Sequence, residues 1–238
     1  MDIRKAAIKY IKDNQKVIIK KFADPHVFLP VEHPFSIFMA GSPGAGKTEF
    51  SNKFDPSLYE YDDVNPIVRI DADEIRKLTP QFNGKNSAVV QPATTIGVEK
   101  LFDHIQQHDQ NAIIDTTFSD FNKAYDNVKR SLKRNRRVGI FYIHFDPKVA
   151  WDYTKIREKK EGRNVTSDFF IEAYVNAREN IDRIRKEFPQ VEVNLIIKEL
   201  TGNEQHPIGM KIKFNIERVA NYLKSFYNKD ELAKIIKS

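Results

Sequence analysis

The run Gly41-Ser42-Pro43-Gly44-Ala45-Gly46-Lys47-Thr48 spells G-x-x-x-x-G-K-T in full. Its glycines let the backbone curl until successive N–H groups face one point, a nest suited to phosphate oxygens. A helix starting near Gly46 would aim its positive end at the same spot. In such a loop the lysine, here Lys47, reaches the β- and γ-phosphates of a nucleoside triphosphate, and the Thr48 hydroxyl ligates Mg²⁺. Gly41 through Thr48, with Glu49 after them, are the expected nucleotide-binding residues. ATP and Mg²⁺ are the expected cofactors.

Three carboxylates follow short apolar runs. In Ile70-Asp71-Ala72-Asp73-Glu74-Ile75-Arg76, Asp71 suits a helix N-cap, with Glu74 three residues on, and equally suits support of the metal. Asp73 falls in the first helical turn, where a carboxylate can accept the proton of an attacking hydroxyl. Its competing role is to stabilise a helix start. Asp115 closes Asn111-Ala112-Ile113-Ile114-Asp115-Thr116-Thr117, the position of an acid that orders Mg²⁺ or bonds the substrate. Asp71, Asp73, Arg76, Asp115, Thr116 and Thr117 form the expected acceptor-binding set; Thr48, Asp71 and Asp115 form the metal set. Farther on, Gly162 separates Arg157 from Arg163 in a charged stretch. Two arginines on a lid can close over a transferring phosphoryl group and stabilise its equatorial charge. The catalytic set is therefore Asp73, Lys47, Arg157 and Arg163, and the lysines of the run 154–166, Lys155 among them, read as a solvated face.

These residues need a frame. Phe35–Ala40, Ile67–Ile70, Ala112–Ile114, Val138–Phe145 and Val191–Ile197 read as strands, and helices are expected over 46–54, 72–79, 93–108, 121–134, 147–158, 167–186 and 215–226. Strands alternating with helices imply an α/β protein with a doubly wound parallel sheet, helices on both faces, and ligands at the carboxyl ends of the strands. Residues 1–32 read as a basic amphipathic helical extension, 33–198 as the core with a short lid near 157–166, and 199–238 as a helical end, all in one domain. Phe169, Phe170, Tyr174 and Ile181 follow helical spacing and read as core.

The chain has 238 residues, 40% hydrophobic and 30% charged, with a net charge of +6 and no cysteine. A disulfide framework, a thiolate nucleophile and a cysteine zinc site are excluded. No apolar run reaches membrane length and the N-terminus lacks a secretory pattern, so a cytoplasmic location is expected. The positive balance favours anionic partners without choosing among them. Lys129, Arg130, Lys133, Arg134, Arg136 and Arg137 cluster near a helix end. They complement its dipole or, alternatively, track the phosphates of a nucleic acid.

Taken together these segments, over residues 33–198, resemble the zeta toxin family of P-loop kinases. The resemblance implies a P-loop kinase fold and transfer of the γ-phosphate of ATP to a hydroxyl of a sugar nucleotide such as UDP-N-acetylglucosamine. It nominates Asp73, the second acid of Asp71-Ala72-Asp73, as the base, and Arg157 and Arg163 as the phosphate clamp. Asp115 with Thr116 or Thr117 would contact the sugar nucleotide. An antitoxin partner is a further implication. The family commonly has Glu-Gly-Thr where this chain has Asp115-Thr116-Thr117, and His-Pro where it has Thr79-Pro80. Chloramphenicol phosphotransferase, shikimate- and gluconate-type kinases and polynucleotide 5′-kinases share the layout. A kinase acting on a nucleic-acid end or another metabolite, or a nucleotide-dependent RNA-binding module, is the alternative reading.

Overall fold

A computed structural model describes residues 2–59, 66–161, 164–203, 208–223 and 227–237. Six strands, β1 (Phe35–Ala40), β2 (Val68–Ile70), β3 (Ala112–Ile114), β4 (Arg137–His144), β5 (Glu192–Leu200) and β6 (Ile208–Lys213), form one sheet in the order β2-β3-β1-β4-β5-β6. The first five are parallel, and β6 runs antiparallel to β5. The sheet is thus a doubly wound parallel sheet with one reversed edge.

Strand β1 lies at the centre and is buried at every position, which is why it reads as an apolar run broken only by Ser36 rather than as an alternation. Its side chains split by parity. Phe38 and Ala40 join one core with α1 (Ile3–Asp13), α2 (Gln15–Ala23), α5 (Ser87–Gln107) and α6 (Phe121–Leu132). Phe35, Ile37 and Met39 join another with α3 (Lys47–Asn52), α7 (Pro147–Glu161) and α9 (Lys229–Lys237). Helix α8 (Ser167–Glu187) gives its first half to the second core and its second half to the first. The short α4 (Ala72–Lys77) leads out of β2.

Three expectations change. Residues 3–23 form two helices, interrupted at Asn14 and packed on α5 through buried Ala7, Ile11, Ile18 and Ala23. Helix α5 starts at Ser87 and runs through Pro92 in its second turn, where the proline removes one intrahelical donor without ending the helix. The C-terminal region is not all helical. Beyond β6, the described part of the helix expected over 215–226 contains only a 3-10 turn at Val219–Asn221, and Phe214 and Tyr222 are exposed.

The arginines of the basic cluster bond internal partners, whereas Lys129 and Lys133 are exposed. Arg130 bonds Asp103 and Glu99, Arg134 bonds the Gln106 carbonyl, and Arg137 pairs with Glu192. Arg136, 2% exposed, donates to the Ser36 hydroxyl and to the carbonyls of Phe35 and Gln110. Burial lowers its pKa to about 10.

Candidate active site

The phosphate loop links β1 to α3. Gly44 (φ +74°) and Gly46 (φ +88°) have left-handed backbones, which side-chain-bearing residues adopt at a cost. Gly44 also leaves no room: a Cβ there would lie 2.0 Å from the Ala150 carbonyl oxygen and 2.6 Å from the Thr154 hydroxyl. The loop therefore rests directly on helix α7, which carries Arg157. Lys47 Nζ donates to the carbonyls of Gly41 (3.0 Å) and Ser42 (2.9 Å), so the loop holds its own lysine in place. The Gly41 amide donates to the Thr117 carbonyl, joining the loop to the segment after β3.

The strand-end residues converge on this loop. Thr48 Oγ1 donates to Asp115 Oδ2 at 2.8 Å, bringing together two members of the expected metal set. Asp71 caps α4 by accepting from the Asp73 amide at 2.7 Å. Glu74, however, bonds Lys77 rather than completing a capping box. Burial raises the pKa of Asp71, helped by the charges of Asp115, Asp73 and Glu74 and opposed by the Asp73 amide. Crowded carboxylates of this kind favour a cation among them. Among the described residues no three His, Cys, Asp or Glu side chains form a metal cage. A hydroxyl beside carboxylates suits instead a hard ion that takes its other ligands from phosphate and water, the habit of Mg²⁺.

Asp73 is tied to Arg76 by a close ion pair, and Arg76 reaches Gln91 Oε1 on α5 at 2.6 Å. Arg76 is 5% exposed. Expected to touch the acceptor, it borders the cleft and also holds the carboxylate of Asp73. Thr116 and Thr117 line the site, but their hydroxyls are engaged locally, with the Phe118 amide and with Ser119.

All these residues border one cleft of about 530 Å³, which Lys47, Thr48, Asp71, Asp73, Arg76 and Asp115 share with Thr116, Thr117 and Arg157. Of the loop, Pro43, Gly44 and Gly46 also face it. Ser42 and Ala45 are buried beneath, so their contribution is backbone. Arg163 lies outside the described residues.

Several cleft residues carried no signal in the sequence. Lys123 and Asn127, four apart on α6, border the side near α5. Phe169, expected in the core, is 41% exposed and borders the cleft beside Thr166, the residue that caps α8. Asn180 donates to the carbonyls of Phe118 and Ser119, pinning the loop after β3, where Phe118 has φ +61°. Lys155 bonds Glu158 and the Val165 carbonyl and lies over the Trp151 ring. It bridges the two sides of the expected lid and is no solvated bystander.

A parallel sheet with a phosphate loop after its central strand, acids after β2 and β3, and an arginine-bearing helix after β4 defines a P-loop kinase fold. The sequence model of the Zeta toxin family matches residues 20–211, and the chain belongs to that family. Among solved structures, the chain is similar to one from the PezAT chromosomal toxin–antitoxin system of Streptococcus pneumoniae, with 17% identity, 96% of this chain and 87% of that chain covered, and a TM-score of 0.63. It is also similar to a chain of the AvrRxo1-ORF1:-ORF2 complex with ATP, with 14% identity, 92% and 70% coverage, and a TM-score of 0.61. No curated protein matches the sequence. Among the described residues no helix is long and apolar enough to cross a membrane.

Proposed function

We propose that this protein is an ATP-dependent kinase that moves the γ-phosphate of ATP onto a hydroxyl of a sugar nucleotide such as UDP-N-acetylglucosamine. The observation that carries the reading is the single cleft. Asp73, ion-paired to Arg76, borders that cleft together with Lys47 and Thr48 of the phosphate loop, which supports the reading. The ATP recorded with the AvrRxo1 relative and the family match support the nucleotide and the class of reaction.

The acceptor hydroxyl gives its proton to Asp73 while its oxygen bonds the γ-phosphorus, and ADP leaves. Lys47 and Arg157, together with Arg163, hold the charge that spreads over the equatorial oxygens. Thr48, Asp115 and Asp71 would hold Mg²⁺, which when bound neutralises phosphate charge. Among the cleft residues, Lys123 supplies a cation and Phe169 an exposed ring, both suited to an anionic acceptor with a planar base. An antitoxin partner and a cytoplasmic location belong to the same proposal; the PezAT relative comes from a toxin–antitoxin system.

Nucleic-acid ends are less favoured as acceptors because Arg130, Arg136 and Arg137 of the basic cluster are held by internal partners, which leaves only the exposed Lys129, Lys133 and Arg134 of that cluster to meet a backbone. Incubation with γ-labelled ATP and a panel of sugar nucleotides, nucleosides, small alcohols and RNA ends tests the proposal. Label transferred to a sugar nucleotide is expected. Label on RNA ends alone, or on no acceptor, would overturn it.

A further inference from the structure

Lys198 lies near the C-terminal end of β5, half-buried, and no part of the reasoning from sequence pointed to it. Its ammonium stands against the phosphate loop: a Cβ on Gly46 would sit 2.2 Å from Lys198 Nζ and 3.3 Å from Glu49 Oε2. Among the described residues its neighbours are the Phe145 ring, 5.1 Å from Nζ to the centroid, and the charge of Glu49 at longer range. It makes no hydrogen bond or ion pair with any described residue. Burial lowers its pKa, and Glu49 opposes that shift.

A cation partly withdrawn from water, with no protein hydrogen-bond acceptor among the described residues, is less well solvated than a free one. Here it borders a ring of backbone amides shaped for phosphate oxygens, so an anion in the loop relieves both groups together. Lys198 does not border the cleft where Asp73 and Arg157 meet, whereas Lys47 and Thr48 do. Lys198 thus stands beside Gly46 on the loop, while Lys47 and Thr48 share the cleft with Asp73 and Arg157.

We propose that Lys198 is a second phosphate-binding lysine, donating to the α- or β-phosphate of the bound nucleotide and leaving the γ-phosphate to Lys47. This rests on the nucleotide-binding part of the function proposed above. Lys198 is then a determinant of affinity for nucleoside di- and triphosphates alike, and not a catalytic residue.

The test is calorimetric titration of the wild type and Lys198→Met with ATP, ADP and adenosine in magnesium, alongside thermal melts of the nucleotide-free proteins. Wild-type binding of ATP checks the underlying reading separately. In Lys198→Met, Kd for ATP and for ADP should each rise roughly 10- to 100-fold, the scale of one charge-assisted hydrogen bond. The nucleotide-free Tm should stay level or rise, because a desolvated charge has been removed. Lys198→Arg should recover part of the affinity. Wild-type binding with unchanged Kd in the variant would overturn the assignment. So would a loss confined to ATP, which would mark a γ-phosphate contact, or an equal loss for adenosine, which would mark a base contact. Should Lys198→Met fail to melt cooperatively, Lys198→Gln replaces it with the same expectations.

Discussion

Replacing Asp73 by alanine removes a reacting group and a structural partner at once, and the two effects are separable. Asp73 and Arg76 form an ion pair whose side chains are 19% and 6% exposed. Deleting one partner of a buried pair leaves the other charge uncompensated, at a cost of about 3–5 kcal/mol. Arg76 keeps its bond to Gln91, so the lower end applies, about 3 kcal/mol. For a chain of this size that is a fall in Tm of about 6–12 °C. Asp73→Asn retains an acceptor oxygen for Arg76 and loses only the charge, so its cost should be about 1–2 kcal/mol. Both variants should bind ATP within about tenfold of wild type, because the lost contact belongs to the transition state. Both should lose about 10²–10⁴-fold in phosphoryl transfer for want of a base. Thermal melts, calorimetry with ATP and a label-transfer assay on folded protein give the three numbers. An Asp73→Ala variant that melts with the wild type would show that the pair is not buried in solution. An Asp73→Asn variant keeping more than about a tenth of the turnover would remove Asp73 as the base.

Three further predictions come from single contacts. Gly44→Ala combines a left-handed φ, costing about 1–2 kcal/mol, with a Cβ 2.0 Å from the Ala150 carbonyl oxygen; far-UV circular dichroism should be unchanged while ATP affinity measured by calorimetry falls by about 100-fold or more. Arg136→Met leaves the buried carbonyls of Phe35 and Gln110 without their donor and should cost about 2–4 kcal/mol in urea unfolding, with kinetic constants of the folded enzyme unchanged. His144, between the rings of Tyr142 and Tyr174, has its pKa lowered to about 4, chiefly by burial, with Asp146 opposing and Arg178 assisting. Its folded value lies below its unfolded one, so protonation favours unfolding: stability is complete above about pH 6.5 and declines as pH falls toward 4, by up to about 2 kcal/mol at pH 5. Urea titrations should show that loss in the wild type and a smaller one in His144→Phe; equal slopes would refute the assignment.

The local patterns of this chain were enough to identify the phosphate loop, the strand-end acids and five parallel strands. Each is a short-range signal: glycine spacing, an apolar run, a carboxylate where a strand gives way to a helix. The sheet order then brings Thr48 to Asp115, sixty-seven residues away, because β1 and β3 are neighbours. That neighbourhood follows from the general rule that ligands gather at parallel strand ends, so the site was largely legible. Its partners were not. Nothing in the sequence shows that α5 would bring Gln91 against Arg76, or that Arg76 would hold Asp73. Phe169 read as core because helical spacing does not say that α8 begins at the rim of the cleft. The basic cluster at 129–137 could have been a phosphate track; packing against Glu99, Asp103 and Glu192 takes up Arg130 and Arg137 and leaves Lys129 and Lys133 exposed. Lys198 and the reversed strand β6 were invisible for the same reason. A residue type becomes a contact only when a distant segment arrives beside it, and which segment arrives is decided by how the two cores close over the sheet. Sequence thus fixed the chemistry that reaches the phosphates, while tertiary packing decided which charges are held, which are spent, and which are left facing the nucleotide.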